Sequence, residues 1–72
     1  MSEKITDGAI KIIEIIGVSS KSFEDAVNQG VSKAAESIKG ITGVEVLRQS
    51  AKVKDGKPNQ YNAHLKVAFI VK

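Results

Sequence analysis

Residues 9–39 read AIKIIEIIGVSSKSFEDAVNQGVSKAAESIK, and their hydrophobic period changes once along the way. The segment from Ala9 to Ser19 is rich in β-branched residues and carries one charge on each face, which is typical of a β-strand. From Phe23 to Lys39 the apolar residues recur at spacings of three and four, which predicts one helical stripe. The sequence therefore predicts a strand followed by an amphipathic helix.

Serines and glycines mark the ends and the buried face of this helix. Ser22 is expected to cap it by accepting a hydrogen bond from the amide of Asp25, with Ser20 as an earlier alternative. Gly40 follows the stripe and fits a left-handed terminator. Gly30 lies in the middle of the stripe, where glycine costs up to about 1 kcal/mol relative to alanine. We expect it to make the buried face shallow, so that a sheet can approach closely.

The second half of the chain has the pattern of a β-hairpin. One strand is predicted from Gly43 to Val53, and Asp55-Gly56 supplies the turn. Pro58 is expected at the turn or at the beginning of the return strand, because it cannot donate to a ladder. The last strand, from Tyr61 to Val71, alternates cleanly. The predicted fold class is α+β, with a β-α-β-β order and a three-stranded sheet packed on one helix.

Alternation divides the predicted sheet into two unlike faces. The helix-facing set should be Ile13, Ile15, Val44, Val46 and the odd-numbered residues of the last strand. The opposite face should hold Ile12, Glu14, Ile16, Gly43, Glu45, Leu47, Asn62, His64, Lys66, Ala68 and Ile70. Large aliphatic side chains beside charges indicate a subunit interface or a ligand wall rather than a solvent surface. The pattern therefore predicts a homo-oligomer.

Length and composition restrict the class of protein. The 72 residues make a single domain, residues 1–72, whose own core is marginal and has no cysteine to reinforce it. The longest apolar stretch is interrupted by Lys11 and Glu14, so no membrane span is predicted, and no secretory signal is visible. We expect a cytoplasmic protein whose residues 1–9 form a flexible N-terminal extension.

The charge pattern argues against a nucleic-acid partner. The net charge is +3, and the lysines are scattered apart from a mild cluster at Lys52, Lys54 and Lys57. Phosphate-binding surfaces concentrate basic residues, and single-strand binders add stacking aromatic residues. This chain has three aromatic residues in all. No nucleic-acid partner is expected.

No catalytic constellation is visible, so the protein is not expected to be an enzyme. The serines near residue 20 are explained by the beginning of the helix. His64 is the one histidine, so a histidine-rich metal site would need copies from several subunits. Glu14 and Glu45 could bind a cation or act as an acid/base pair, whereas pairing with Lys66 or Arg48 is the simpler outcome.

Two long segments together carry a resemblance to a known family. These are IIEIIGVSSKSFEDAVNQGVSKAAESIKGITGVEV and NQYNAHLKVAFIV, with Ser19 two residues after IEIIG, an alanine-rich helix, and KVAF at Lys66–Phe69. As a set they resemble the dodecins, which are small flavin-binding proteins. The resemblance implies a strand-helix-strand-strand protomer and a hollow assembly of twelve copies. It covers nearly the whole chain.

The same resemblance implies a flavin pocket at a two-fold axis, formed here by Gly43, Val44, Glu45 and Asn62. In the family a tryptophan stacks on the flavin ring and a glutamine hydrogen-bonds its edge. Gly43 stands at the tryptophan position and Asn62 at the glutamine position. Stacking on an aromatic contributes about 1–3 kcal/mol per ring, so its loss should weaken flavin binding by roughly one to two decades.

Two functions therefore remain open at this stage. In the first, the protein is a dodecin-like store that sequesters riboflavin or FMN with weakened affinity. In the second, the shell does not bind flavin, and holds metal ions or another small ligand or serves as an assembly alone. Some relatives without the tryptophan are associated with calcium. In either case Glu14, His64 and Lys66 are expected at subunit contacts or in channels.

Overall fold

A computed structural model describes residues 7–71 of the chain. Its elements are β1 (Ala9–Ser19), α1 (Phe23–Ala35), β2 (Ile41–Lys54) and β3 (Lys57–Val71). β3 lies in the middle of the three-stranded sheet, and both of its neighbours pair with it antiparallel. The predicted β-α-β-β order and α+β class are confirmed.

Several predicted boundaries are wrong by a few residues. Both hairpin strands are longer than predicted, since β2 begins at Ile41 and β3 at Lys57, where Pro58 already pairs with Val53. Asp55 and Gly56 form the turn with φ angles of 53° and 77°, as a tight hairpin requires. The predicted flexible extension falls mostly on residues 1–6, which lie outside the described residues.

The helix ends at Ala35, four residues before the predicted end at Lys39. The amide of Glu36 already bonds the carbonyl of Lys33, three residues back, which tightens the chain into a turn. Gly40 has the expected left-handed backbone, with φ at 79°, but it lies in the connection to β2. Its carbonyl accepts a hydrogen bond of 3.1 Å from the amide of Ile70, so it ties the connection to β3.

Hydroxyl groups fix the beginning of the helix. Ser22 caps it as predicted, because its Oγ accepts from the Asp25 amide at 2.9 Å. Ser19 is buried, and its hydroxyl donates to the Asp25 carboxylate at 2.6 Å while it accepts from the Lys21 amide at 2.9 Å. The end of β1 and the first turn of α1 are therefore held as one unit.

A close backbone approach sets where the helix lies on the sheet. A Cβ atom built on Gly17 would run into the carbonyl oxygen of Ala26 and stand 3.1 Å from the Cα of Gly30. The shallow helix face expected from Gly30 is confirmed. The core beneath it consists of Ala26, Ala63, Leu65 and Val67, with Ile13, Ile15, Val27, Ile41 and Tyr61 packed around them.

The helix packs mainly on β1 and β3 and contacts β2 much less. Val44 and Val46 pair with core residues of β3 and share their face, yet 42% and 44% of their surface remains exposed. Val44 and Val46 therefore lie on the helix side of the sheet as predicted, but the helix leaves them largely uncovered. Strands lie about 4.8 Å apart, so a helix held over Gly17 leaves the far strand beyond its edge.

A register shift in β2 changes which residues face which way. Val46 pairs with Leu65 and Arg48 pairs with His64, so Leu47 is an extra residue without a partner on β3. The expected placement of Leu47 opposite the helix stays a prediction, since Leu47 has no partner that defines its side. Arg48, which simple alternation would turn towards the helix, lies opposite the helix.

Candidate functional site

The sheet face opposite the helix, which we call the open face, holds most of the residues singled out by the sequence. Paired residues on neighbouring strands point to the same side, so the register defines this face. From β1 it has Ile10, Ile12, Glu14, Ile16 and Val18; from β2, Gly43, Glu45, Arg48, Ser50 and Lys52; from β3, Gln60, Asn62, His64, Lys66, Ala68 and Ile70. Apart from Leu47, the predicted membership of this face is confirmed.

One column of the open face is apolar. Four aliphatic residues of β1 are about half exposed, namely Ile10 (50%), Ile12 (55%), Ile16 (55%) and Val18 (47%). The opposite column, on β2, has glycine and polar residues. A row of exposed branched aliphatic side chains on an edge strand is typical of a surface that another protein surface covers.

A charged row crosses the middle of the open face. Glu14 on β1 and Glu45 on β2 both pair with Lys66 on β3, so the lysine lies between two carboxylates. In the part of the chain from 7 to 71, the one side-chain ion pair joins Lys33 Nζ to Glu36 Oε2 at 3.5 Å, on the helix. Within residues 7–71, the three charged residues are therefore aligned across the strands, but no direct ion pair joins their side chains.

A cluster of polar side chains lies beside this row, on the side towards the hairpin turn. Arg48 pairs with His64, and Ser50 Oγ lies 3.4 Å from the Nε2 atom of His64. Asn62 accepts a hydrogen bond of 2.9 Å on its Oδ1 atom from Gln60 Nε2. The sequence analysis did not place Arg48 and Ser50 on this face. The sequence around Leu47 does not predict a bulge, and the bulge reverses the alternation of the residues that follow it.

The residues that were expected to line a flavin pocket are not gathered in one place within a single chain. Gly43 pairs with Ala68 and Asn62 pairs with Ser50, so the two lie six positions apart along β3, or about 20 Å. Val44 pairs with Val67 and therefore points to the helix side. A Cβ atom on Gly43 would meet nothing within 4 Å, so this position is open.

No aromatic side chain lies on the open face. Tyr61 pairs with Ser19 and packs edge-to-face on Phe23, with ring centroids 4.9 Å apart. Phe69, the third aromatic residue, pairs with Lys11 on the helix side. A planar ligand on the open face would therefore find no ring of this protomer to stack on.

A separate apolar groove of about 500 Å³ runs between α1 and the free edge of β1. Its walls include Ile13, Ile15, Ala34 and Ile38, and Lys33 lies at its rim. Together with the apolar column, it makes both sides of the β1 edge apolar.

Within residues 7–71, no group of three or more His, Asp or Glu side chains is arranged to hold a metal ion. No helix in that range is long and apolar enough to cross a membrane.

Comparisons with known proteins agree with this architecture. The family model described as Dodecin matches residues 9–72. The chain is similar in fold to the dodecin from Streptomyces coelicolor, with a TM-score of 0.91 and 20% identity over 94% of this chain and 97% of that one. It is likewise similar to the tt0972 protein from Thermus thermophilus, with a TM-score of 0.88 and 20% identity over 92% and 97%.

A third solved structure has a higher sequence identity. It is the calcium dodecin from Mycobacterium tuberculosis, described as a calcium-chelating antigen with a novel calcium-binding site. The identity is 31% over 90% of this chain and 93% of that one, with a TM-score of 0.79. No curated protein matches the chain.

Proposed function

Since the chain belongs to the dodecin family, we propose that it is a small-ligand storage protein whose copies close around a shared cavity and sequester riboflavin or FMN with weak affinity. The observation that carries this proposal is the separation of Gly43 from Asn62 by six positions on one exposed face. A pocket that uses both positions requires a second copy.

Self-assembly follows from the surface that the single helix leaves uncovered. The apolar column on β1 is half exposed, and Val44 and Val46 on β2 are more than 40% exposed on the other side of the sheet. A chain of 72 residues buries too little surface to leave so much apolar area in water. Twelve copies is the number that the family resemblance suggests, and we adopt it as part of the proposal.

The weak affinity follows from the composition of the open face. Gly43 offers space but no ring, and the three aromatic residues of the chain lie elsewhere. A flavin bound here would stack on a second flavin and hydrogen-bond to the Asn62 amide. Sequestration needs binding and shielding from water but no proton transfer, so we propose a storage role and no catalysis.

Two measurements on one sample test this function. Light scattering after size-exclusion chromatography gives the particle mass, and the visible spectrum shows whether flavin copurifies. Riboflavin fluorescence should be quenched on titration with protein, with a dissociation constant on the order of micromolar or weaker. A monomeric mass would overturn the assembly, and unchanged riboflavin fluorescence at high micromolar protein would overturn flavin storage.

A second candidate, a calcium-holding shell, is favoured by the 31% identity to the calcium dodecin. The open face provides Glu14 and Glu45, which are hard oxygen ligands of the kind calcium prefers. Because no acidic group of three exists within residues 7–71, the carboxylates of several copies would have to converge.

Calorimetric titration of the chelator-treated protein with calcium tests this candidate. The double variant Glu14→Gln with Glu45→Gln should lose the binding heat, whereas Glu36→Gln, on the helix, should keep it. Absence of heat in the wild-type protein, or equal heat in both variants, would eliminate the calcium shell.

A further inference from the structure

One part of the open face consists of residues with hydrogen-bond donors and contains no acidic residue. Between the His64 row and the hairpin turn, its charged residues are Arg48 and Lys52, and its polar residues are Ser50, Asn62 and Gln60. Both carboxylates of the face lie on the other side, in the Lys66 row. The local charge is therefore positive, although the protein as a whole has a net charge of only +3.

The extra residue in β2 creates this arrangement. If β2 kept simple alternation after Val46, Leu47 would occupy the open face and Arg48 would point to the helix side. The bulge at Leu47 instead puts Arg48 directly opposite His64. Bulges are over-represented next to active sites, where they re-aim a side chain.

The donors have few competing partners. Among residues 7–71 no carboxylate forms an ion pair with Arg48, and its guanidinium carries five N–H donors in a planar fork. The Ser50 hydroxyl is 3.4 Å from His64 Nε2, so one of these groups donates to the other, according to the tautomer of the imidazole, and each keeps its remaining hydrogen-bonding capacity for a ligand. The Gln60 amide donates to the Asn62 Oδ1 atom, and the Asn62 NH₂ group is the donor of that side chain.

We propose that Arg48, His64 and Ser50 form a recognition site for a phosphate group. A phosphate monoester has several oxygen acceptors and at most one proton to donate. It therefore complements a site in which hydrogen-bond donors surround one guanidinium group. Ile16 and Val18 lie on the same rows and are about half exposed, so an apolar body attached to the phosphate would rest on them. The ligand class is a phosphorylated small molecule with a planar or apolar part.

The one histidine of the chain is a built-in reporter for this site. The wild-type protein with ¹³C-labelled histidine is titrated with inorganic phosphate at fixed pH, with sodium chloride added to hold the ionic strength constant. We expect the His64 Cε1–H resonance to move along a saturable curve, with half-saturation on the order of millimolar. The variant Arg48→Gln should raise that midpoint by about tenfold or more.

The matched control is Lys54→Gln, which removes the same charge at the hairpin turn, away from the His64 row. It should leave the midpoint within about twofold, since exposed charges at that distance are screened. A shift that grows linearly without saturation, or that Arg48→Gln and Lys54→Gln change equally, would overturn the phosphate site.

A second arm identifies the source of the phosphate and rests on the proposed flavin storage. Fluorescence titrations compare FMN with riboflavin, which differ by the phosphate. If FMN binds more tightly than riboflavin, and if Arg48→Gln abolishes this difference, the site recognises the phosphate of the bound flavin. Saturable phosphate binding without a preference for FMN assigns it to free phosphate or another phosphorylated ligand. Because the first titration contains no flavin, failure of flavin storage does not affect its outcome.

Discussion

Gly17 on β1 and Gly30 on α1 are in backbone contact, and neither position has room for a methyl group without movement of a neighbour. A Cβ atom on Gly17 would meet the backbone of Ala26, whereas one on Gly30 would meet the end of the Leu65 side chain at 2.7 Å. The pair fixes the helix over β1 and β3 and thereby leaves the rest of the sheet for other contacts.

The two glycines should respond differently to alanine. Gly17→Ala should lower the free energy of unfolding by about 1–3 kcal/mol, because the obstacle is rigid backbone. Gly30→Ala should cost less, about 0–2 kcal/mol, because its nearest obstacle is the end of the Leu65 side chain and alanine favours the helix, while the Gly17 Cα atom at 3.1 Å still crowds the methyl group. Urea unfolding at one protein concentration measures both.

Gly43→Ala is the control for this pair, since nothing lies within 4 Å of its added Cβ atom. It should leave the urea midpoint nearly unchanged. If Gly30→Ala proved more damaging than Gly17→Ala, the described approach of helix and strand would be incorrect.

The capping of α1 gives a second prediction. Ser22→Ala should cost about 1 kcal/mol of stability, because the Asp25 amide then loses its acceptor. Ser20→Ala tests the earlier alternative and should cost less than about 0.5 kcal/mol, since Ser20 is exposed. Thermal unfolding followed by circular dichroism distinguishes them. Equal losses would mean that the cap does not depend on Ser22.

A tryptophan at the open position should strengthen flavin binding. Gly43→Trp puts a ring on the open face, and stacking should raise riboflavin affinity by roughly ten- to a hundredfold. Fluorescence quenching gives the dissociation constants. Val53→Trp is the matched control, because Val53 is 64% exposed at the hairpin turn and should bring no gain. An unchanged affinity in Gly43→Trp would contradict the proposed pocket.

A charge in the apolar column should break the assembly without unfolding the protomer. Ile16 is 55% exposed in the single chain, so Ile16→Lys removes little from the protomer core. If other copies cover this column, a buried unpaired charge would cost several kcal/mol at each contact. We expect the mass from light scattering to fall while the circular dichroism spectrum stays folded.

Ser32→Lys adds the same charge to an exposed position of the helix and should leave the mass unchanged. A full-size particle in both variants would exclude the β1 column from the interface.

Much of the fold follows from local pattern. The β-branched residues identified the strand Ala9–Ser19, and the Asp55-Gly56 pair located the turn. The cap at Ser22 was also predictable, because a hydroxyl before two acidic residues has one favourable use at a helix N-terminus. Each of these features depends on neighbours in sequence.

The features that were missed depend on contacts between distant segments. The exposure of Val44 follows from where Gly17 and Gly30 meet, which composition does not reveal. The placement of Arg48 follows from one extra residue in β2, and strand pairing alone determines such a bulge. Alternation therefore missed Arg48 and Ser50 on β2, although it placed Asn62 and His64 on β3 correctly.

The hairpin extends beyond the third strand, and this has a consequence for motion. β1 pairs no further than Tyr61, so the segment from Lys52 to Gln60 is a two-stranded ribbon in a molecule 51 Å long and less than 20 Å across. At its end Lys54 and Lys57 stand directly opposite each other, and their charges repel. Amide protons in the ribbon should exchange with deuterated solvent well before those of Leu65 and Val67. We therefore expect the ribbon to open locally while the three-stranded part of the sheet stays paired, with the boundary at Tyr61 on the middle strand.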